Sequence, residues 1–285
     1  MLLSVSDYYC IFAAIINQSY IKMRRMPLSF ITLILALSSC WEASNHSRLE
    51  NEDSTYPISL TKRPEQIIKR KGYTCSYNKD TKCANWSAWH LSAEHTDGPY
   101  KRKDIHIEGY YLEDDRELSN RQSLSDWNGI SEYDHGHLCP SGDNKWDLDA
   151  MRETFYLSNM CVQNRQLNQE SWEDLESACR RWAKKFGGIY IVTGPIFQKK
   201  PYRHVGRGNL PVPDAFFKVV LCTNGEPKAI GFLYENTAPP PRDRMESHAC
   251  SVDSIEALTE YDFFAGLDDS IEKQVEANPN IKLWK

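Results

Sequence analysis

The run Asn168–Phe186 (NQESWEDLESACRRWAKKF) constrains the fold more than any other stretch of this chain. Its apolar residues fall at Trp172, Leu175, Cys179, Trp182 and Phe186, in steps of 3, 4, 3 and 4, with charges at most other positions. That period is helical, and Gly187-Gly188 supplies the stop. A helix with one apolar stripe must cover an apolar surface. Four other segments read as strands: Trp86–Leu91, Ile189–Thr193, Lys218–Cys222 and Ala229–Tyr234. The last two flank Asn224-Gly225, a hairpin signal. Pro239-Pro240-Pro241 marks an extended surface loop. Strands interrupted by a central helix predict an α+β fold.

The chain has 285 residues, 41% of them hydrophobic and 12% aromatic, enough to bury a substantial core. No repeat and no second composition break appears from about Ile67 onward, so residues 66–285 read as one domain. Residues 41–65 are polar for most of their length and read as a flexible tether. The formal net charge of −5 argues against tight binding to a polyanion by overall charge, but leaves room for a local basic surface.

The first forty residues read as an export signal. Lys22, Arg24 and Arg25 precede the apolar run Leu28–Leu37, which is too short to span a bilayer as a helix. Leu37-Ser38-Ser39-Cys40 resembles a bacterial lipobox, with Cys40 as the lipidated mature N-terminus. The expectation is an exported lipoprotein anchored to a membrane, facing the periplasm or the outside. Residues before about 23 fit this pattern poorly, and Met23 or Met26 reads as an alternative start. Of nine cysteines, seven remain once Cys10 and Cys40 are set aside. Export favours disulfides, and the expected pairs are Cys75–Cys83 and Cys222–Cys250. No CxxC pair exists to hold zinc.

The densest polar cluster is Tyr133-Asp134-His135-Gly136-His137. On a strand, His135 and His137 share one face and Asp134 takes the other. A neutral imidazole can accept a proton from water near neutral pH. Downstream, Asn168 and Glu176 offer hard oxygen ligands suited to Mg²⁺. A continuous helix would put Asn168, Trp172 and Glu176 on neighbouring turns of one face. Glu176 and Arg180 stand four apart, the spacing of a surface ion pair as much as of a site.

Four ordered blocks narrow these readings. They are Asp134-His135-Gly136-His137-Leu138-Cys139-Pro140; Glu153–Met160 with Gln163; Leu167-Asn168, Trp172 and Leu175-Glu176; and Val192-Thr193-Gly194-Pro195. Together they resemble the DNA/RNA non-specific endonucleases, the ββα-metal nucleases that include endonuclease G, over roughly residues 70–270. The resemblance implies a central antiparallel sheet with the metal-site helix packed on it. It also implies a Mg²⁺-dependent enzyme, Mn²⁺ being a second option, that hydrolyses phosphodiester bonds of DNA and RNA.

Carried over residue by residue, the resemblance makes His137 the general base and Asn168 the one direct protein ligand to the metal. Asn159, with Gln163, supports the site. Glu176 matches the glutamate that hydrogen-bonds one of the ion's waters, Arg180 a phosphate-contacting arginine, and Asp134 the residue that opens and orients the tetrad. Arg181, Lys184 and Lys185 are candidate nucleic-acid contacts, as are Lys199, Lys200, Arg203 and Arg207. The chain departs from the family at His135, which stands where the tetrad has arginine. Histidine is charged only when protonated, so a bell-shaped pH dependence is expected. A catalytically weakened lipoprotein that binds nucleic acid is the alternative this departure leaves open.

Overall fold

The computed structural model describes residues 55–105 and 111–285. In chain order the strands are β1 (Ile58–Ser59), β2 (Gln66–Lys69), β3 (Thr74–Asn78), β4 (Cys83–Leu91), β5 (Tyr133–His137) and β6 (Met160–Asn164). There follow β7 (Ile189–Ile196), β8 (His204–Val205), β9 (Leu210–Pro211), β10 (Ala215–Cys222), β11 (Lys228–Glu235), β12 (Ala249–Cys250) and β13 (Tyr261–Asp262). Seven of them form an antiparallel sheet in the order β12-β11-β10-β7-β4-β3-β2. All four expected strands lie in this sheet. The β10–β11 turn holds Gly225 at φ +78°, where a side chain would be strained.

The helix Ser171–Phe186 covers one face of the sheet. Trp172, Leu175, Cys179 and Trp182 are buried against Ile191, Phe216, Val220 and Phe232. Each such side chain contributes about 1.5–3 kcal/mol through apolar burial. Gly187 ends the helix in the left-handed conformation, at φ +81°. Charged groups also enter this interface. Lys218 is 1% exposed, and its ammonium sits between the rings of Trp89 and Trp172, at 5.3 and 4.8 Å. On the opposite face of β10, Phe217 packs against Phe263, and the helices Val252–Thr259 and Asp269–Glu276 lie along β11. Gly231 admits the first of these, because a β-carbon there would stand 2.6 Å from Ile255 Cδ1.

Strand β4 is bonded directly to β7, so residues 92–188 form one long excursion between two sheet neighbours. Within it, β5 and β6 pair as a separate antiparallel ribbon, followed at once by the helix Arg165–Gln169.

Three expectations change. The helix expected over Asn168–Phe186 is broken at Glu170, whose φ −118° and ψ −96° are not helical. Asn168 therefore belongs to the short helix and Glu176 to the long one, and the two do not share a face. The tether expected over 41–65 does not reach 65. Residues 58–59 pair with β13, and the Arg63 guanidinium lies 4.1 Å from the centre of the Tyr261 ring. Finally, Cys75, Cys83, Cys222 and Cys250 are all free thiols. In the β3–β4 register Cys75 faces Ser87 while Cys83 faces Asn78, and Cys222 and Cys250 meet β11 at Lys228 and Gly231. Neither expected pair is brought together. The signal region 1–40, with Cys40, lies outside the described residues, as does His106.

Candidate active site

The β5–β6 ribbon and the short helix behind it build one side of a cleft of about 470 Å³. Asn164 starts that helix by accepting hydrogen bonds from the Gln166 and Leu167 amides. Asp134, His135 and His137 from β5 and Arg165, Asn168 and Gln169 from the helix all line the cleft. Strand alternation does not separate Asp134 from His137 here, because the helix brings partners to the Asp134 carboxylate. That group accepts from Arg165 Nε at 3.0 Å, Asn168 Nδ2 at 3.1 Å and Gln169 Nε2 at 2.7 Å. The bond to Asn168 matters most. It engages the nitrogen of the amide and leaves Oδ1, a hard oxygen donor, as the atom offered to the cleft. Asp134 thus orients the Asn168 side chain, where its expected task was to orient the tetrad.

His137 packs edge-on against Phe155, with ring centroids 4.9 Å apart, and its Nε2 has no hydrogen-bond partner. Burial, with Arg102 and His135 nearby, pushes its pKa down to about 3, so the imidazole is neutral at physiological pH. His135 is a different kind of group. Its ring is sandwiched between Tyr111 at 3.8 Å and Trp127 at 3.7 Å, both close to parallel. Burial in this stack lowers its pKa to about 4, although Asp134 pulls the other way. A histidine so held is neutral near physiological pH in the free protein, so the expected bell-shaped profile requires a bound phosphate to draw the proton onto it.

A permanently charged residue also lines the cleft. It is Arg102, carried by the 3-10 turn Arg102–Ile105, and its guanidinium lies 5.0 Å from the centre of the Phe155 ring. Its charge is felt by both histidines. In the sequence Arg102 is one member of the run Tyr100-Lys101-Arg102-Lys103, indistinguishable from a solvated basic patch. Trp127 and Tyr111 escaped notice likewise, Trp127 because buried tryptophans are usually core.

The supporting residues lie behind the cleft. Asn159 is fully buried and every polar atom of its side chain is engaged. Oδ1 accepts from the Cys139 amide and Ser87 Oγ, and Nδ2 donates to the carbonyls of Cys139 and Thr154. It ties the end of β5 to β4, and its side-chain hydrogen bonds go to Ser87, Cys139 and Thr154 rather than to His137. Gln163 lies opposite Asp134 in the ribbon, and its side chain covers Gly136. A β-carbon on Gly136 would stand 2.2 Å from Gln163 Oε1, so close approach dictates glycine in the tetrad.

Glu176 and Arg180 do not line the cleft. Arg180 Nη1 bonds the buried Asp143 carboxylate at 3.0 Å and lies 3.9 Å from Glu176. Burial raises the Glu176 carboxyl to about 7, against the opposing pull of Lys218. The two sit in a charge cluster beneath the long helix. Lys184 pairs with Asp97, and Lys185 donates to the Lys285 carbonyl. Arg181 is exposed, and none of these three lines the cleft. Arg203 comes closer, with its guanidinium 5.4 Å from the ring of Tyr133, a cleft residue.

Against known proteins, residues 51–270 match the model of the family described as DNA/RNA non-specific endonuclease. The chain belongs to that family. Nuclease C1 of Cunninghamella echinulata var. echinulata is 32% identical over 234 residues, covering 77% of this chain and 91% of the relative. Mitochondrial endonuclease G of Caenorhabditis elegans is 32% identical over 228 residues, covering 74% and 72%. The crystal structure of the EndoG/EndoGI complex superposes with a TM-score of 0.64 over 78% of this chain and 93% of that one. Its identity of 22% makes this a likeness of fold, the ββα-metal nuclease fold. The chain is accordingly an endonuclease of the metal-dependent class. The ββα unit of this nuclease is β5, β6 and the helix Arg165–Gln169.

Proposed function

We propose that this nuclease is a Mg²⁺-dependent endonuclease that hydrolyses DNA and RNA with little sequence preference. His137 is its general base, Asn168 its direct metal ligand and Arg102 its phosphate-binding cation. One observation carries the reading. His137 and Asn168 line one cleft; His137 Nε2 is buried there with no hydrogen-bond partner, and the Asn168 amide is turned by Asp134 so that an oxygen is left over. A lone amide oxygen beside carboxylate and imidazole suits a hard cation that keeps most of its waters, Mg²⁺ or Mn²⁺. Held there, the ion supplies charge neutralisation of the scissile phosphate and of the departing 3′ oxygen.

The chain's own groups do the rest. Nε2 of His137 takes a proton from a water that attacks phosphorus in line, and the bond to the 3′ oxygen breaks. Burial that keeps His137 neutral also weakens it as a base. An anionic phosphate entering the cleft raises its pKa toward the useful range. The Arg102 guanidinium meets the phosphate oxygens and their growing charge with fixed donors. Contacts of this kind fall on phosphate and sugar, which carry no sequence information directly.

Incubation of the purified chain with plasmid and with RNA, in Mg²⁺ and in EDTA, tests the reading. Both substrates are cut only with Mg²⁺, and His137→Ala slows cleavage by about 10²-fold or more. Cleavage by that variant at the parent rate would overturn the assignment. Export and anchoring through Cys40 belong to the same proposal. Cys40→Ser should then remove the protein from the detergent phase.

A further inference from the structure

The helices Val252–Thr259 and Asp269–Glu276 face each other with carboxylates. Asp253, Glu256 and Glu276 each bring one carboxylate oxygen into a group in which all three lie within 4.8 Å of one another. Glu276 is 5% exposed, and its Oε1 has no hydrogen-bond partner. One turn earlier on the same helix, Glu272 Oε1 is also buried and unpartnered. The largest charges bearing on Glu276 are Glu256, Glu272, Asp253 and Asp262, all carboxylates. Glu256 already spends one oxygen on the Phe263 amide, at 2.8 Å, which fixes its side chain.

Buried carboxylates without a countercharge are costly, and an unpaired buried oxygen adds to the cost. Two remedies exist: protons or a cation. We propose that Asp253, Glu256 and Glu276, assisted by Glu272, bind a divalent cation of the Ca²⁺ type that fastens the last helix to its neighbour. The ligands are all carboxylate oxygens, which suits a hard cation. Three oxygens within 4.8 Å of one another are close enough to share one ion, and a cage built from protein carboxylates suits Ca²⁺ better than Mg²⁺, which keeps most of its waters. The site shares no residue with the catalytic cleft, and the role is structural.

The test is thermal unfolding of the full chain after EDTA treatment, with Ca²⁺ titrated from micromolar to millimolar and Mg²⁺ absent. Four proteins are compared: the parent, Asn168→Ala, Glu272→Gln/Glu276→Gln and Asp253→Asn. Ca²⁺ should raise the Tm of the parent and of Asn168→Ala alike, by about 5–10 °C at a hundredfold excess over Kd. In Glu272→Gln/Glu276→Gln the rise should vanish, while its Tm without Ca²⁺ is no lower than the parent's. Asp253 is exposed, so Asp253→Asn leaves the fold intact and should weaken Ca²⁺ binding about tenfold, as loss of one charged ligand does. Absence of a rise in the parent overturns the proposal. So does a rise that disappears in Asn168→Ala, which puts the ion in the cleft, or one that persists in the double variant.

Discussion

Asp134 Oδ2 accepts a hydrogen bond from Asn168 Nδ2 at 3.1 Å, and this contact decides which end of the Asn168 amide faces the cleft. The carboxylate touches no reacting atom, yet it selects the donor atom offered to the metal. Asp134→Ala frees the amide to turn, and loss of an orienting partner of this kind costs about 10–100-fold in metal affinity or activity. The Mg²⁺ concentration for half-maximal cleavage should rise accordingly, with part of the rate recovered at high Mg²⁺. An unchanged Mg²⁺ dependence would show that Asn168 is oriented by other means.

Arg102 and Arg180 separate by their phenotypes. Arg102→Ala should lower the rate at saturating Mg²⁺ by about 10²–10³-fold with little change in melting temperature, as expected for loss of a donor to developing charge. Arg180→Met leaves the Asp143 carboxylate buried and unpaired. It should destabilise the fold by about 3–5 kcal/mol, read from urea unfolding. The opposite pattern would return the phosphate contact to Arg180.

The stacked His135 gives a pH signature in stability. Its folded pKa, about 4, lies below the unfolded value of 6.5, so the unfolded chain binds the proton first. The contribution is intact above about pH 6.5 and is lost as pH falls toward 4. His135→Phe keeps the stack and removes the titration. The difference in melting temperature between it and the parent should therefore shift in its favour on acidification through that window. Its cleavage rate at neutral pH should stay within a few-fold of the parent's, because His135 contributes no charge there. A rate lower by a hundredfold would show that the imidazole itself is needed.

Gly136→Ala probes the close approach of Gln163. The added methyl has no room unless Gln163 leaves its place over the ribbon. Overpacking of this kind costs about 1–3 kcal/mol, measurable by denaturant titration. A neutral outcome would mean that Gln163 can move aside freely.

The main sheet and its covering helix were legible in the sequence, because β7, β10 and β11 alternate or run apolar and the helix repeats at its own period. The cleft was legible only in part. Asp134, His137 and Asn168 stand in dense local patterns, and all three line it. The break at Glu170 was hidden, since the apolar steps continue from Trp172 onward and nothing on the near side marks a boundary. Glu176 consequently read as a neighbour of Asn168 and proves to face Asp143 and Lys218. Arg102 was invisible for another reason. It reaches the cleft across thirty-odd residues of chain from β5, and no local pattern records a contact of that range. The sandwich around His135 is likewise made by Tyr111 and Trp127 from separate turns.

The direct pairing of β4 with β7 has a consequence for how this enzyme can change. Among the described residues, everything that lines the cleft arrives on the single excursion between those two strands, anchored at its far end by the long helix. The closure entropy of a loop grows only logarithmically with its length, so lengthening the stretch between the sheet and β5 by a few residues costs well under about 1 kcal/mol. Residues 98–132, which carry Arg102, Tyr111 and Trp127, can thus be lengthened at exposed positions to retune substrate grip, while Leu118 in the core and Asp114, paired with Arg70, keep the segment fastened to the sheet.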